Sequence, residues 1–251
     1  KLNNEIHLAR DRAGEKPLYI CCFEGVFAAS SDLSTFEDIG SFQKIICEKA
    51  LMEYLNFGYV PAPKTIFKNI FKVPSATSIS IKLDQLKLKN FDTFRDFCEQ
   101  DSVSLKEFWT LHEAKTLDVG IKYSDVKQTL NQKLSNAIKL QQLSDVPLGC
   151  FLSGGIDSTL VASLMSKANK DTKTFTIGFE FSEYDESIHA EKIAKYLKTD
   201  HKTVICSTKE TQEIIKSLSK AYTEPLADSS QIPTMMISKI ASQDVKVVLT
   251  G

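Results

Sequence analysis

The run Ser153-Gly154-Gly155-Ile156-Asp157-Ser158 puts hydroxyls, adjacent glycines and a carboxylate within one short stretch. Adjacent glycines let a backbone approach a ligand with no Cβ in the way. Where such a turn separates a buried strand from a helix, the first helical amides converge on one point. The helix dipole adds positive potential there, so the arrangement suits an anion, phosphate above all. Ser153 and Ser158 can add hydroxyl donors, and Asp157 can hold a magnesium ion that the phosphates also ligate. No Gly-Lys-Ser/Thr follows, so this is not a Walker A loop. An ordinary glycine turn would account for Gly154-Gly155 alone, but not for all six positions between a strand and a helix.

The flanking elements read as those that would position this chemistry. Val146 to Leu152, broken by Pro147, is a short apolar run expected to form a buried strand. After the turn, Leu160, Val161, Leu164 and Met165 recur on one helical face. Before it, a long helix from Ser124 carries Val126, Leu130, Leu134 and Ile138 on one face, with Ser124 as its expected cap. Further on, strands at Thr174–Phe179, Lys202–Ile205 and Lys246–Leu249 alternate with helices at Ser187–Leu197, Lys209–Leu218 and Thr234–Ala241. That alternation predicts an α/β fold with a parallel sheet.

The first part of the chain reads differently. Ile6–Ala9, Pro17–Ile20 and Val26–Ala29 are strand-like, with Glu24-Gly25 as a hairpin turn. Arg10-Asp11-Arg12 reads as a solvated, salt-bridged turn rather than a catalytic cluster. Residues 41–115 are expected to be a connector with some structure of its own. Within it lie a short helix from Cys47 to Asn56 ending near Gly58, strand-like runs at Ser78–Leu83 and Lys87–Phe91, and an irregular polar loop from Asp92 to Leu105. Phe108 and Trp109 are expected to pack against a neighbouring domain.

Composition narrows the class. The 251 residues are 42% hydrophobic and 25% charged, as in ordinary globular proteins, and allow one large domain or two modest ones. A formal charge of -1 argues against a nucleic-acid partner. No secretory signal or long uncharged apolar run suggests export or membrane insertion, so a cytoplasmic location is expected. The six cysteines form no CxxC pair and read as buried thiols in a reducing compartment. His7, His112, His189 and His201 are scattered, with no partner that suggests catalysis or metal binding.

Ser-Gly-Gly-Ile-Asp-Ser resembles the pyrophosphate loop of the ATP-pyrophosphatase superfamily, whose members split ATP between its α and β phosphates. Other runs resemble the glutamine-hydrolysing asparagine synthetases in particular. These are Arg10-Asp11-Arg12-Ala13-Gly14-Glu15-Lys16-Pro17-Leu18-Tyr19, the Tyr-Leu-x-Phe-Gly-Tyr-Val-Pro-Ala-Pro pattern ending at Pro63, and Ser144-Asp145-Val146-Pro147-Leu148-Gly149. Phe175–Phe179, the acidic turn Tyr184-Asp185-Glu186-Ser187, the motif from Glu224 to Thr234, and Val247–Gly251 match that family too. One departure is Ser31-Asp32, where the family has Glu followed by Ile or Met-Lys.

The resemblance implies an internal fragment. Residues 1–40 would close a β-rich N-terminal-nucleophile glutaminase domain, 41–115 would connect, and 116–251 would open an adenine-nucleotide α-hydrolase-like synthetase domain. It implies ATP-dependent amidation of L-aspartate to L-asparagine through β-aspartyl-AMP, with ATP and Mg2+ as cofactors and aspartate with glutamine or ammonia as small-molecule substrates. A related amidotransferase acting on a different carboxylate acceptor keeps the same motifs. A homodimer is a family expectation. By the same resemblance Ser153, Gly154, Gly155 and Ser158 would bind pyrophosphate and Asp157 magnesium. Leu152 and Ile177 would flank adenine, Thr250 and Gly251 would lie near the nucleotide, and Asp228 could meet the substrate or a domain interface. The glutaminase cysteine and a second metal carboxylate are expected outside the chain. No catalytic residue is therefore assigned within it, and the chain alone is not expected to hydrolyse glutamine.

Overall fold

The computed structural model describes residues 4–23, 25–40, 42–111, 122–180 and 185–251. Glu24 of the expected hairpin turn, Tyr184 of the acidic turn, His112, and the expected boundary at residues 115 and 116 lie outside them. The chain divides into two compact units, Lys1–Leu117 with Ser219–Asp228, and Asp118–Leu218 with Ser229–Gly251.

The first unit contains β1 (Glu5–Ala9), β2 (Tyr19–Phe23), β3 (Val26–Ser30), α1 (Glu48–Phe57), β4 (Ile70–Lys72), β5 (Thr77–Lys82), α2 (Phe94–Cys98) and β6 (Val103–Glu107). Among the described residues two antiparallel sheets form, in the orders β1-β5-β6 and β3-β2-β4. Strand β2 supplies both sides of its sheet. Ile20 and Cys22 join Phe71, Ile79, Ile81 and Phe97 in one core. Tyr19 and Cys21 join Leu33, Phe36, Ala50 and Ile70 in a second. This is the period-two alternation of a strand buried on both faces. The residues expected to connect domains thus share their cores with the first forty. Cys21 and Cys22 are both buried, and burial pushes the Cys21 thiol up to about 12.

The fold departs from the sequence expectations at three places. Among the described residues Lys87–Phe91 joins no ladder, and the expected loop from Asp92 contains α2 and β6. Helix α2 is started by a capping box in which Thr93 and Asp96 exchange side-chain and backbone hydrogen bonds. The Arg10 turn is held by backbone groups, with no salt bridge among the described residues. Its guanidinium donates to the carbonyls of Gly14, Lys16 and Val73 at 2.9, 2.9 and 2.7 Å.

The second unit follows the alternation. It contains α3 (Tyr123–Gln141), β7 (Leu148–Phe151), α4 (Ile156–Ala168), β8 (Lys173–Phe179), α5 (Ser187–Leu197), β9 (Asp200–Cys206), α6 (Thr208–Ile215), α8 (Gln231–Ala241) and β10 (Val247–Leu249). The short helix α7 (Leu218–Ala221) straddles the division between the units. All pairings in the sheet β10-β7-β8-β9 are parallel. Ile138 of α3, Leu164 and Met165 of α4, and Ala190 and Ala194 of α5 pack with Cys150 and Leu152. Ile237 and Ala241 of α8 pack with Phe175 in a separate cluster. Parallel strands are buried this way because their crossover helices cover both faces. The cap of α3 differs from expectation. The helix starts at Tyr123 after Lys122, and the Ser124 hydroxyl donates to Asp125 at 3.0 Å.

Strands β8 and β9 enclose a polar cluster. Thr174 Oγ1 lies 2.8 Å from His201 Nδ1 and 2.8 Å from Thr199 Oγ1, and the Thr203 hydroxyl donates to Glu191 at 3.0 Å. Desolvation lowers the His201 pKa from 6.5, with the Glu191 carboxylate opposing it. Below pH 6.5 the unfolded chain therefore binds more protons than the folded one, so the contribution is present above 6.5 and is lost on acidification. The thermal midpoint should fall as pH drops below 6.5, and His201→Asn should flatten that slope. Equal slopes in the two proteins would contradict the assignment.

Candidate functional site

Strand β7 ends at Phe151 and α4 begins at Ile156 after Gly155. The turn between them needs glycine at one position above all. Gly154 has φ +86°, and an added Cβ there would lie 3.2 Å from the His189 Cβ and 3.3 Å from the Ala190 amide nitrogen. Helix α5 thus packs directly against the turn. The first-turn amides of Ile156 and Asp157 have no carbonyl four residues back within α4, which leaves them available to an anion.

Two serines brace the turn from its ends. Ser153 Oγ and Ser158 Oγ are 2.9 Å apart, and the Ser158 hydroxyl also accepts from the Ser153 amide at 3.2 Å. The Gly155 amide donates to Ser153 Oγ at 3.3 Å, and the Thr159 amide to the Gly155 carbonyl at 3.1 Å. Ser158 is buried while Ser153 and Asp157 are exposed. Strand β8 holds the strand end of the turn. The Leu152 amide donates to the Phe175 carbonyl at 2.9 Å, and the Thr176 hydroxyl donates to the Leu152 carbonyl.

A cavity of about 210 Å³ opens beside the turn, lined by Leu152, Ser153, Ile177, Phe179, Glu186 and Ile237 among others. Its walls are mostly apolar, with Glu186 as a carboxylate at the start of α5. Gly178 has the close contacts that the acidic turn requires, since a Cβ there would sit 3.0 Å from both Asp185 Oδ1 and Ser187 Oγ. Hydrogen bonds from Ser187 hold the Asp185 carboxyl below its usual range.

Register brings the chain end to the same place. Leu249 pairs with Cys150, and β10 lies on the opposite side of β7 from β8. Loops at the carboxyl ends of strands flanking such a reversal in strand order form the ligand crevice of open α/β sheets. Gly251 packs so closely on α4 that a Cβ would come within 2.6 Å of the Asp157–Ser158 backbone.

Leu152, Ser153, Gly154, Gly155, Asp157, Ser158, Ile177, Thr250 and Gly251 therefore all belong to one edge of this sheet. Asp228 belongs to the first unit. Thr176, Phe179, Glu186, His189 and Ile237 had no assigned role in the sequence. Glu186 stood within a recognisable acidic turn, whereas nothing local marks Ile237, which comes from α8. Among the described residues no group of three or more His, Cys, Asp or Glu side chains is placed to hold a metal. A single carboxylate at Asp157 still fits magnesium, which takes one or two carboxylates and completes its octahedron with phosphate oxygens and water.

Residues 129–251 match the family model for asparagine synthase, and residues 1–92 match that for the glutamine amidotransferase domain. A Methanocaldococcus jannaschii protein, provisionally named glutamine-hydrolyzing asparagine synthetase 2, is 32% identical over 250 residues, spanning 98% of this chain and 45% of that protein. Glutamine-hydrolyzing asparagine synthetase 1 of Bacillus subtilis is 27% identical over 252 residues, spanning 100% of this chain and 37% of that protein. Amidase chyE of Penicillium rubens is 26% identical over 260 residues, spanning 97% of this chain and 36% of that protein. The chain thus spans less than half the length of these curated relatives.

Gly154→Ala would place an L residue at a positive φ, at a cost of about 1–2 kcal/mol, and press on α5. Titration calorimetry should show nucleoside triphosphate binding weakened roughly tenfold or more. Gly25 has φ +81° with nothing near an added Cβ, so Gly25→Ala carries similar strain away from the turn and should leave that affinity unchanged. Equal effects of the two substitutions would contradict the site.

Proposed function

The chain belongs to the asparagine synthetase family, and from that premise we propose that its full-length protein uses ATP to convert a carboxylic acid, L-aspartate, to its amide, L-asparagine. The observation that carries this reading is the braced glycine turn at the start of α4, opening beside an apolar cavity.

The proposed chemistry is the one that the family resemblance implies. The β-carboxylate of aspartate attacks the α-phosphorus of ATP and displaces pyrophosphate, giving β-aspartyl-AMP. Ammonia then attacks the acyl carbon, releasing asparagine and AMP. Charge develops on the departing pyrophosphate, where loop amides, the helix dipole and the Ser153 and Ser158 hydroxyls would stabilise it. Magnesium, when bound, would neutralise phosphate charge, and Asp157 is the carboxylate offered to it. Leu152 and Ile177 offer apolar walls to the adenine ring, with Thr250 and Gly251 near the nucleotide. Asp228 is proposed as a substrate contact on the strength of the family motif alone. Glutamine is the proposed ammonia source, supported by the match of residues 1–92 to the amidotransferase model.

A second reading keeps the adenylation and changes the acceptor carboxylate. The relative named as an amidase favours keeping it in view. Domain limits at residues 40 and 115, a homodimer and a cytoplasmic location remain part of the proposal.

The full-length protein, supplied with ATP, magnesium and ammonium, should make asparagine only when aspartate is present, as read by mass spectrometry. Asp157→Asn should lower that rate by about two orders of magnitude. ATP binding without asparagine formation would contradict aspartate as acceptor, and a fully active Asp157→Asn would contradict the role of that carboxylate.

A further inference from the structure

Glu224 lies in the sequence matched by the asparagine synthase model, yet it folds into the first unit with residues 219–228. Both of its carboxylate oxygens are engaged there. Oε2 pairs with Lys72 Nζ at 2.5 Å and accepts from the Tyr19 hydroxyl at 3.2 Å, while Oε1 accepts from the Ile66 amide at 3.2 Å. The Lys72 ammonium also donates to the Val60 carbonyl at 2.8 Å. Each side chain of the Lys72–Glu224 pair is only 14% exposed. Three residues on, the Ala227 amide donates to the Gly58 carbonyl at 2.7 Å. Tyr19, Gly58, Val60, Ile66 and Lys72 all fall within the amidotransferase match.

A buried ion pair is weak evidence for stability, because desolvation offsets its attraction. Its geometric consequence is firmer. Neither charge can leave without stranding the other, so the segment that bears Glu224 is held to the surface that bears Lys72. That segment then runs through Asp228 into Gln231, where α8 begins, and Ile237 of α8 lines the cavity beside the glycine turn.

We propose that the Lys72–Glu224 pair is a tie, fastening residues 219–228 of the synthase-matched sequence to the amidotransferase-matched core and coupling the two activities. Lys72 is a positioning residue in this scheme, acting through Glu224. The coupling rests on the function proposed above, whereas the fastening does not.

Hydrogen exchange on the full-length protein separates the two. Lys72→Met should speed exchange of the 224–228 amides by about tenfold or more and leave the β8 amides unchanged. Tyr19→Phe, which removes one hydroxyl, should give a smaller increase in the same segment. The charge-reversed double variant Lys72→Glu with Glu224→Lys should exchange more slowly there than either single variant. In product assays Lys72→Met should lower the glutamine-driven rate at least about fivefold relative to the ammonium-driven rate. Unchanged exchange at 224–228 in Lys72→Met, or a double variant no slower than the singles, would overturn the tie. Faster exchange with an unaltered ratio of the two rates would overturn the coupling. A wild-type protein that makes no product from either nitrogen source contradicts the proposed function, and exchange still decides the tie.

Discussion

The left-handed backbone at Gly154 is the constraint on which the second unit turns. It reverses the chain between a buried strand and a helix in a few residues, and only a side chain of hydrogen lets α5 pack where it does. The Ser153–Ser158 hydroxyl contact then closes the turn on itself, so its shape is set by local hydrogen bonds as well as by the flanking elements. Parallel pairing does the rest. It places β8 and β10 on either side of β7, with β8 running past the partner of Phe151, which brings Ile177 to one side of the turn and Gly251 to the other.

The first unit answers to a different demand. Strand β2 is covered on both faces, so its alternating residues serve two cores at once. Burial of that kind leaves little tolerance for charge, and Lys72 and Glu224 are accommodated because each has a partner of opposite sign and further hydrogen bonds. Burial, reinforced by the adjacent Glu224 carboxylate, also raises the Tyr19 pKa far above its usual range, keeping that hydroxyl a donor.

Legibility in the sequence followed the range of the interactions. The glycine turn could be read because its chemistry lies in consecutive residues, and the alternating strands and helices because hydrophobic period is local. Helix α2 is not legible locally although Thr93 and Asp96 stand three apart, since the stretch is polar and short and its apolar Phe94 and Phe97 find their core only in three dimensions. Lys87–Phe91 has strand-like composition but no neighbouring strand to pair with among the described residues. The partnership of Lys72 with Glu224 spans most of the chain, and no spacing rule could have suggested it. The cavity wall formed by Ile237 was hidden for the same reason.

The central claim is that this turn holds the part of ATP that departs as pyrophosphate. Its most direct test is the identity of the nucleotide product. Full-length protein is incubated with ATP, magnesium, ammonium and the acceptor carboxylate, and the nucleotides are separated by anion exchange. AMP with an equal amount of pyrophosphate is the expected result. ADP with inorganic phosphate would place cleavage between the β and γ phosphates and contradict the account.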